Sequence, residues 1–462
     1  MIFSSALFIL FLLLVMSVYY IVPTKLRHLW LLLASYVFCL MYDVNALIVL
    51  VGSTLVSYLF GLILDRMKWE GKGNKAGSRI CLWLGVICCI APLLLAKTGR
   101  FSLFAVIGVS FYTLQEIGYL SDICQGKSRA EKSLLNYALF IAFFPKLVSG
   151  PIERSGNLLK QIKEASGTVF EYDRVKSGFL LMLWGYFQKS VIADSFSGYV
   201  SKVYDQWEAY SGAVILLATV VFAFQLYADF AGYTNIVLGA AKVLGYQLQE
   251  NFLQPYLAVS IRDFWRRWHI SLSTWLRDYI YIPLGGNRRG KLCKYINLMI
   301  TFVVSGLWHG LSFNYVAWGM LHGAYQVIGE FVGERKLPLL LRRVGVFALV
   351  NIAWVFFRAG SLKAAIGMLL RCVLHFSPGA LAGDVFSSLG LGMTNIVFGA
   401  ACIVLLLLAD VLHERQIHVR VFLAERPIVV RWLCYMVLVL LLAFVEIRRC
   451  GIPASNFIYS QF

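Results

Sequence analysis

Long apolar runs recur along the whole chain and constrain its fold more than any other feature. A helix of about 20 apolar residues crosses the hydrocarbon core of a bilayer. Residues 1–22 and 46–64 are runs of this length, and residues 29–41 form a shorter one. Further runs lie near residues 80–96, 101–120, 134–150, 177–193, 211–228, 295–308, 311–330, 344–357, 396–412 and 428–446. The pattern predicts an all-α polytopic membrane protein with about 11–12 membrane helices, accompanied by re-entrant or interfacial helices.

The charged residues support this class and exclude others. Only 14% of the residues are charged, against about 25% in soluble domains. The net charge of +18 comes from short basic clusters between the apolar runs. Cytoplasmic loops rich in Lys and Arg, and the anionic lipid surface that they face, account for such clusters. We therefore predict membrane lipids as partners and no nucleic acid. The loop 65–79 is the best cytoplasmic candidate.

The remaining composition predicts a single domain without a metal site. No Pro- or Ser-rich linker divides residues 1–462, and no repeat of 20–50 residues is visible. The ten cysteines are scattered without metal-ligand spacing and read as small apolar residues within helices. The first apolar run lacks a positive n-region and a cleavage site, so we interpret it as a retained span.

Polar residues interrupt several apolar runs. Gln115 and Glu116 lie in one run, and Asp229 lies in an aromatic setting directly after another. Residues 144–156 combine two prolines with two glycines. Each polar group could simply bond a neighbouring helix, but polar groups at membrane depth are costly and often face a cavity. Together they suggest a polar cavity inside the helix bundle.

The stretch 260–323 brings arginine, aspartate, tryptophan and three histidines together. On a helix over residues 263–279, aromatic and leucine side chains recur every three or four positions and form one face. Arginines gather on the other side, which is typical of a helix at the membrane–water boundary. Four basic residues follow in 287–294, which we expect to be a cytoplasmic loop. Such a loop could also hold phosphates.

The histidines of this stretch are its candidate chemical groups. His309 ends an apolar run beside Gly310. An imidazole in apolar surroundings is expected to be neutral, which suits it to take a proton from a hydroxyl. A buried histidine bonded to a neighbouring helix fits the same residues. His322 would lie on another face even of one continuous helix, so the two make a poor metal pair, and no metal is expected.

Several long motifs resemble the membrane-bound O-acyltransferase (MBOAT) family, and within it the alginate O-acetyltransferase type. They include DFWRRWHISLSTWLRDYIYIPLGGNRRG, SGLWHG and WGMLHG. The blocks SFYTLQEIGYLSD, FPKLVSGPIER, FQKSVIAD, FQLYADFAGYTN and the C-terminal ASNFIYSQF follow the same order as in the family. The resemblance implies a fold of tilted helices around a central funnel and covers nearly the whole chain.

The resemblance also implies roles for individual residues. It marks His309 as the catalytic base and gives His269 a supporting role, while His322 is expected to be structural. Arg266, Arg267 and Arg277 are candidates for binding the donor's phosphates at a cytoplasmic mouth. The expected substrate- or donor-binding set is completed by Trp268, Asp278, Trp308 and Asn314.

The expected activity is transfer of a short acyl group to the hydroxyl of an extracytoplasmic polysaccharide. Acetyl-CoA, or a carrier-protein thioester, would be the donor substrate, and no tightly bound cofactor is expected. A separate extracytoplasmic acyltransferase would be the partner, at a bacterial cytoplasmic (inner) membrane. Three alternatives stay open: D-alanyl transfer from a carrier protein towards teichoic acid, a non-catalytic transporter of an acylated intermediate, and a scaffold for glycan export.

Overall fold

A computed structural model describes residues 5–69, 74–98, 107–164, 169–333, 337–381, 389 and 393–448. Parts of the predicted loop 65–79 and of the run 101–120, and the block ASNFIYSQF, lie outside the described residues. The α-helices are α1 Ala6–Ile21, α2 Arg27–Leu40, α3 Val44–Trp69, α4 Lys75–Thr98, α5 Val109–Cys124, α6 Leu134–Ala142, α7 Phe144–Leu147, α8 Lys160–Glu164, α9 Tyr172–Tyr186, α10 Asp194–Asp205, α11 Gly212–Val243, α12 Ile261–Arg267, α13 Ile270–Leu276, α14 Gly290–His309, α15 Phe313–Val332, α16 Leu339–Arg358, α17 Leu362–Leu374, α18 Met393–Glu414, α19 Val419–Ala424 and α20 Ile428–Arg448.

Six of the described helices are long and apolar enough to cross a bilayer. They are α3, α4, α11, α16, α18 and α20. The apolar part of α1, Leu7–Ile21, is shorter. Many leucine, valine and isoleucine side chains on these helices are exposed, as expected where lipid replaces water as the solvent. The prediction of an all-α polytopic membrane protein is confirmed.

One compact unit comprises residues 1–182 and 233–250. Its interior holds polar groups from two of the sequence blocks that interrupt the apolar runs. The ammonium of Lys146, which is fully buried, donates to the side chain of Gln115 and to a backbone carbonyl. The buried carboxyl of Glu153 interacts electrostatically with the same lysine. Gln115 and the proline-rich block therefore meet in one buried network, as polar groups away from water require.

The second compact unit comprises residues 183–232 and 251–462. Its interior holds Lys189, which lies in a π-helical segment, Phe187–Ala193, between α9 and α10. The Nζ atom of Lys189 lies 2.8 Å from a carboxylate oxygen of Asp194 and 2.6 Å from one of Asp229. Asp229 is thus paired within this unit. The prediction of a single domain over residues 1–462 stays a prediction.

The continuous helix predicted over residues 263–279 is wrong. The segment is divided into α12 and α13, followed by a π-helical turn, Arg277–Tyr281. The break falls at His269, which has φ 43° and ψ 54°, in the left-handed region. That conformation cannot continue a right-handed helix. The predicted apolar face survives the break, because Phe264, Trp265 and Leu272 are all buried.

The loop predicted over residues 287–294 is also shorter than expected. The chain turns between Ile282 and Arg289, and α14 already begins at Gly290. The side chain of Asn297, about two turns into this helix, donates to the carbonyl of Gly286 at 3.1 Å and holds the turn in place. Two of the four basic residues therefore belong to α14.

Helices α14 and α15 form a closely packed hairpin. A Cβ atom added to Gly306 would lie 2.3 Å from the carbonyl oxygen of Tyr315, and one added to Gly319 would lie 2.3 Å from that of Phe302. Both distances are too short for any side chain, so the helices can approach this closely only with glycine at both positions. The glycines of the SGLWHG and WGMLHG motifs thus bring the two histidine-bearing helices together.

Candidate active site

Helix α12 begins with a local cap that its sequence supplies. The hydroxyl of Ser260 accepts a hydrogen bond from the backbone N–H of Asp263 at 3.0 Å. The Asp263 carboxylate accepts in turn from the N–H of Val259 at 3.0 Å. This exchange satisfies amide groups that would otherwise lack partners at a helix start. The capped helix presents Trp265 to the interior and Arg266 to the outside.

A large cavity opens beside α12, with a volume of about 1340 Å³. Its lining comes from α12, α13, the turn before α14, and parts of α14, α15 and α16. Six basic side chains share this lining: Arg262, Arg266, Arg277, Arg288, Lys294 and Arg342. Among the described residues of the lining, one is acidic, Glu330. Its carboxylate accepts a hydrogen bond from the ammonium of Lys294. The cavity is therefore strongly positive and suited to an anionic ligand.

The structure separates the three arginines that were grouped in the sequence. Arg266 and Arg277 line the cavity, and both are exposed. Arg267 does not line it, since it donates to Asp263 at 3.0 Å and to Glu414 at 3.2 Å. One step of about 100° around a helix separates adjacent residues, so neighbours in sequence meet different partners.

Two other residues of the expected donor-binding set make clear contacts. The carboxylate of Asp278 accepts from the Nε atom of Arg277, which lines the cavity, at 2.8 Å. The ring of Trp268 is buried in an aromatic core, at 5.0 Å from the ring of Phe252 and 5.2 Å from that of Trp354. Roles in donor binding stay predictions for both.

His309 is the last residue of α14 and is almost fully buried. Its ring lies within an aromatic cage, with centroid distances of 4.8 Å to Trp308, 5.1 Å to Trp318 and 5.1 Å to Phe357. A cage of this kind excludes water and fixes the ring direction. A base buried among rings is protected from competing solvent.

His269 also contacts one indole of this cage, that of Trp308. Its ring centroid is 6.0 Å from that of Trp308 and 4.8 Å from that of Phe230. The two histidines predicted to be functional, 40 residues apart in sequence, therefore both pack against Trp308. Close non-covalent neighbours of a catalytic group can orient it.

His322 takes part in the same cluster. Its Nδ1 atom accepts a hydrogen bond from the indole N–H of Trp265 at 3.2 Å, which places its own proton on Nε2. Trp318 lies between the two α14–α15 histidines, at 5.0 Å from His322 and 5.1 Å from His309. Trp265 also lines the cavity and contacts Trp318. Trp318 contacts His309, so a series of aromatic contacts connects the cavity wall with His309.

Asn314 lies at the start of α15 and is buried. Its side-chain amide donates to the carbonyls of Phe356 at 3.2 Å and Ala359 at 2.9 Å. Both amide hydrogens therefore bind the carbonyl end of α16, where backbone acceptors lack helical partners. Contact with substrate stays a prediction for this residue.

The pH dependence of stability should reveal the burial of His269. Burial lowers the pKa of His269 to about 3, because charging an imidazole away from water is unfavourable. The unfolded chain binds a proton on this residue below its ordinary value of about 6.5. Its contribution to stability is thus present above pH 6.5 and is lost progressively as the pH falls towards 3.

We expect the His269→Asn variant to lose less stability than the wild type between pH 7.5 and pH 5, because asparagine tolerates the left-handed conformation and does not titrate. Thermal unfolding of both purified proteins at the two pH values measures the difference. An equal shift of the melting temperature in both proteins would contradict the expectation. His375→Asn, at an exposed position, is the matched control.

Two sets of residues near the site were missed at the level of sequence. Lys189 lies within the block FQKSVIAD. In the sequence it was only one polar residue in an apolar run, and nothing indicated that it forms a buried ion pair. Glu414 ends α18 and accepts from both Arg267 and Arg343. The pair of Lys189 with Asp229 and the two pairs of Glu414 could not be predicted, because they join distant segments of the chain. Among the described residues, no cluster of three or more His, Cys, Asp or Glu side chains could hold a metal ion.

Comparisons with known proteins identify the family of the chain. Residues 127–336 match the model of the membrane-bound O-acyltransferase family. A probable alginate O-acetylase of Pseudomonas aeruginosa is 37% identical over 389 residues, which cover 79% of this chain and 73% of that protein. A peptidoglycan O-acetyltransferase of Helicobacter pylori is 34% identical, with 74% and 72% covered. A teichoic acid D-alanyltransferase of Bacillus subtilis is 28% identical, with 56% and 70% covered.

These similarities support the acyltransferase activity that the motifs implied. They extend through the cavity-lining helices and the histidine-bearing hairpin, both of which lie largely within the matched residues. The chain is a multi-pass membrane protein with O-acyltransferase relatives of the cell envelope. It belongs to the membrane-bound O-acyltransferase family and is an acyltransferase.

Proposed function

We propose that this enzyme transfers an acetyl group from a cytoplasmic thioester to the hydroxyl of an extracytoplasmic polysaccharide. The observation that carries the proposal is the caged imidazole of His309, which is joined by aromatic contacts to the wall of a basic cavity. The relatives named for acetylation of alginate and peptidoglycan favour acetyl as the acyl group.

The reaction assigns one proton transfer to His309. The imidazole takes the proton of the acceptor hydroxyl as its oxygen attacks the thioester carbonyl. The carbon–sulfur bond then breaks, and the departing thiolate receives the proton, so the products are an ester and a free thiol. General-base assistance of this kind contributes about 10²–10⁴ in rate. His269, which packs against Trp308, would help to hold the cage in its reactive arrangement.

The basic cavity is the proposed donor site. Acetyl-CoA and carrier-bound phosphopantetheine both bring phosphate groups, and arginine pairs with phosphate through charge-assisted hydrogen bonds. Arg266 and Arg277 are exposed in the lining and carry the positive charge that such a donor would meet. No tightly bound cofactor is needed for this chemistry.

The relatives support the proposed acceptor and setting. A polymer of the cell envelope would present its hydroxyl on the extracytoplasmic side of a bacterial inner membrane. A separate extracytoplasmic acyltransferase would complete the delivery to the polysaccharide. D-alanyl transfer from a carrier protein is the second candidate, because a teichoic acid D-alanyltransferase is among the relatives.

A donor panel in reconstituted vesicles tests the proposed function. Purified protein is given labelled acetyl-CoA or a D-alanyl carrier protein, together with an oligosaccharide acceptor, and ester formation is measured by mass spectrometry. Acetyl ester formation that is lost in the His309→Ala variant supports the proposal. D-alanyl ester formation alone would favour the second candidate. Movement of label across the vesicle without any ester would indicate a transporter instead.

Donor binding should depend on the arginines of the cavity. We expect the Arg266→Ala and Arg277→Ala variants each to raise the KM for the donor about tenfold, because each removes a charge-assisted hydrogen bond that solvent partly screens at these exposed positions. Turnover at saturating donor should change little. Arg415→Ala, beyond the end of α18 and outside the cavity lining, is the matched control. A donor KM unchanged in both cavity variants would remove this cavity from consideration as the donor site.

A further inference from the structure

The first amide groups of α13 find their hydrogen-bond acceptors outside the helix. The N-cap residue, His269, makes no side-chain cap. Instead, the N–H of Ile270 donates to the backbone carbonyl of Asn251 at 3.1 Å. The N–H of Ser271 donates to the side-chain Oδ1 of the same asparagine at 3.1 Å. A capping residue ordinarily lies directly before the helix that it caps. Here Asn251, from a separate segment, accepts the hydrogen bonds in its place.

The residues after Asn251 hold the chain on the other side of His269. Phe252 and Trp268 form an antiparallel bridge, and the N–H of Leu253 donates to the carbonyl of Arg267 at 3.0 Å. The rings of Phe252 and Trp268 also meet edge to face, at 5.0 Å. The segment 251–253 therefore forms hydrogen bonds with the backbone on both sides of His269.

His269 has a conformation that requires such support. Its φ of 43° is unfavourable for a residue with a side chain. Residues in this region persist where the surroundings impose the conformation, and they concentrate at functional sites. The conformation determines where the imidazole goes, and it brings the ring to Phe230 and to Trp308, the neighbour of His309.

We propose that Asn251 is a positioning residue of the active site and acts through His269. This inference rests on the proposed function. The fully buried Asn251 side chain uses its Oδ1 atom to hold the start of α13, and thereby holds the left-handed turn that aims His269 at Trp308. Its Nδ2 atom meets no acceptor among the described residues, so Oδ1 is the side-chain atom through which Asn251 holds α13. Asn251 itself does not touch the reacting groups.

A double-mutant cycle distinguishes positioning from simple stabilisation. Asn251→Ala is made in the wild type and in the His269→Ala background, and kcat is measured in vesicles. We expect a fall in kcat of about 10–100-fold in the wild type, since small displacements at an active site can cost about 10²-fold. In the His269→Ala background the same change should have almost no further effect, because the group that it positions is gone.

A merely structural role would lower kcat by the same factor in both backgrounds, and that result would overturn the proposal. Normal turnover of the His269→Ala variant would also overturn it, while leaving the role of His309 intact. If the wild type forms no ester with any donor, the proposed function fails instead, which is a distinct outcome. Asn351→Ala, at another buried asparagine, whose amide donates within its own helix, is the matched control and should be additive.

Two further variants keep the test decisive. Asn251→Asp preserves the acceptor oxygen and should keep kcat close to the wild-type value. A folded Asn251→Asp protein as impaired as Asn251→Ala would overturn the proposal, because the Oδ1 acceptor is then not the important group. Should Asn251→Ala fail to fold, Asn251→Gln displaces the acceptor by one methylene and is measured in the same two backgrounds, with the same expected and overturning results.

Discussion

Acyl transfer should fall by about 10²–10⁴-fold when His309 is replaced by alanine, because the acceptor hydroxyl then loses its proposed general base. The imidazole is buried among Trp308, Trp318 and Phe357, so water cannot readily take its place. The donor KM should stay near the wild-type value, since His309 is outside the described lining of the cavity. Single-turnover formation of ester from labelled donor measures the effect.

Controls separate the loss of a base from the loss of the fold. His309→Gln keeps most of the side-chain volume in the cage and should be folded but equally inactive. His375→Ala changes an exposed histidine at the end of α17 and should retain turnover within about twofold, as surface substitutions usually do. A monodisperse His309→Ala protein with near-normal turnover would contradict the assignment of the base.

The free energy of unfolding should fall by about 3–5 kcal/mol when Lys189 is replaced by methionine, because the change leaves buried carboxylates without their cation. The ammonium lies 2.8 Å from Asp194 and 2.6 Å from Asp229, and all three side chains are buried. Thermal and denaturant unfolding in detergent, followed by tryptophan fluorescence, measures the loss. Activity should fall as well, since Phe230 follows Asp229 on α11 and packs against His269.

A second-site change tests the electrostatic origin of this loss. Adding Asp229→Asn to Lys189→Met removes one of the two uncompensated charges, so we expect part of the stability to return. Lys363→Met, at an exposed lysine on α17, is the matched control and should have little effect. If the double variant were less stable than Lys189→Met by the full cost of Asp229→Asn alone, burial of unpaired charge would not be the cause.

Much of the architecture could be predicted from the chain. Apolar runs of membrane-spanning length predicted an all-α polytopic protein, because a bilayer allows few other solutions for the backbone. The aromatic face around Phe264, Trp265 and Leu272 was predicted from its spacing and is buried. The helix break at His269 was not predicted, because a left-handed residue leaves no mark on hydrophobic periodicity.

The site was only partly predictable for a related reason. Spacing singled out His309 but could not distinguish a base from a buried structural histidine, and the family resemblance made that distinction. The sequence grouped Arg266 with Arg267, whereas the fold directs one to the cavity and the other to Glu414. Partners of this kind lie far away along the chain, beyond the reach of local patterns.

By itself, the sequence determined the membrane class, the tryptophan–arginine stretch and the short list of histidines. These features depend on composition and on short-range periodicity. Both can be read from the sequence without knowing which residues meet in the fold. The tertiary structure alone decided that His269 and His309 share Trp308, that Lys189 meets Asp229, and that Asn251 caps α13. Each of these contacts depends on helix packing, which places distant residues within a few ångströms of one another.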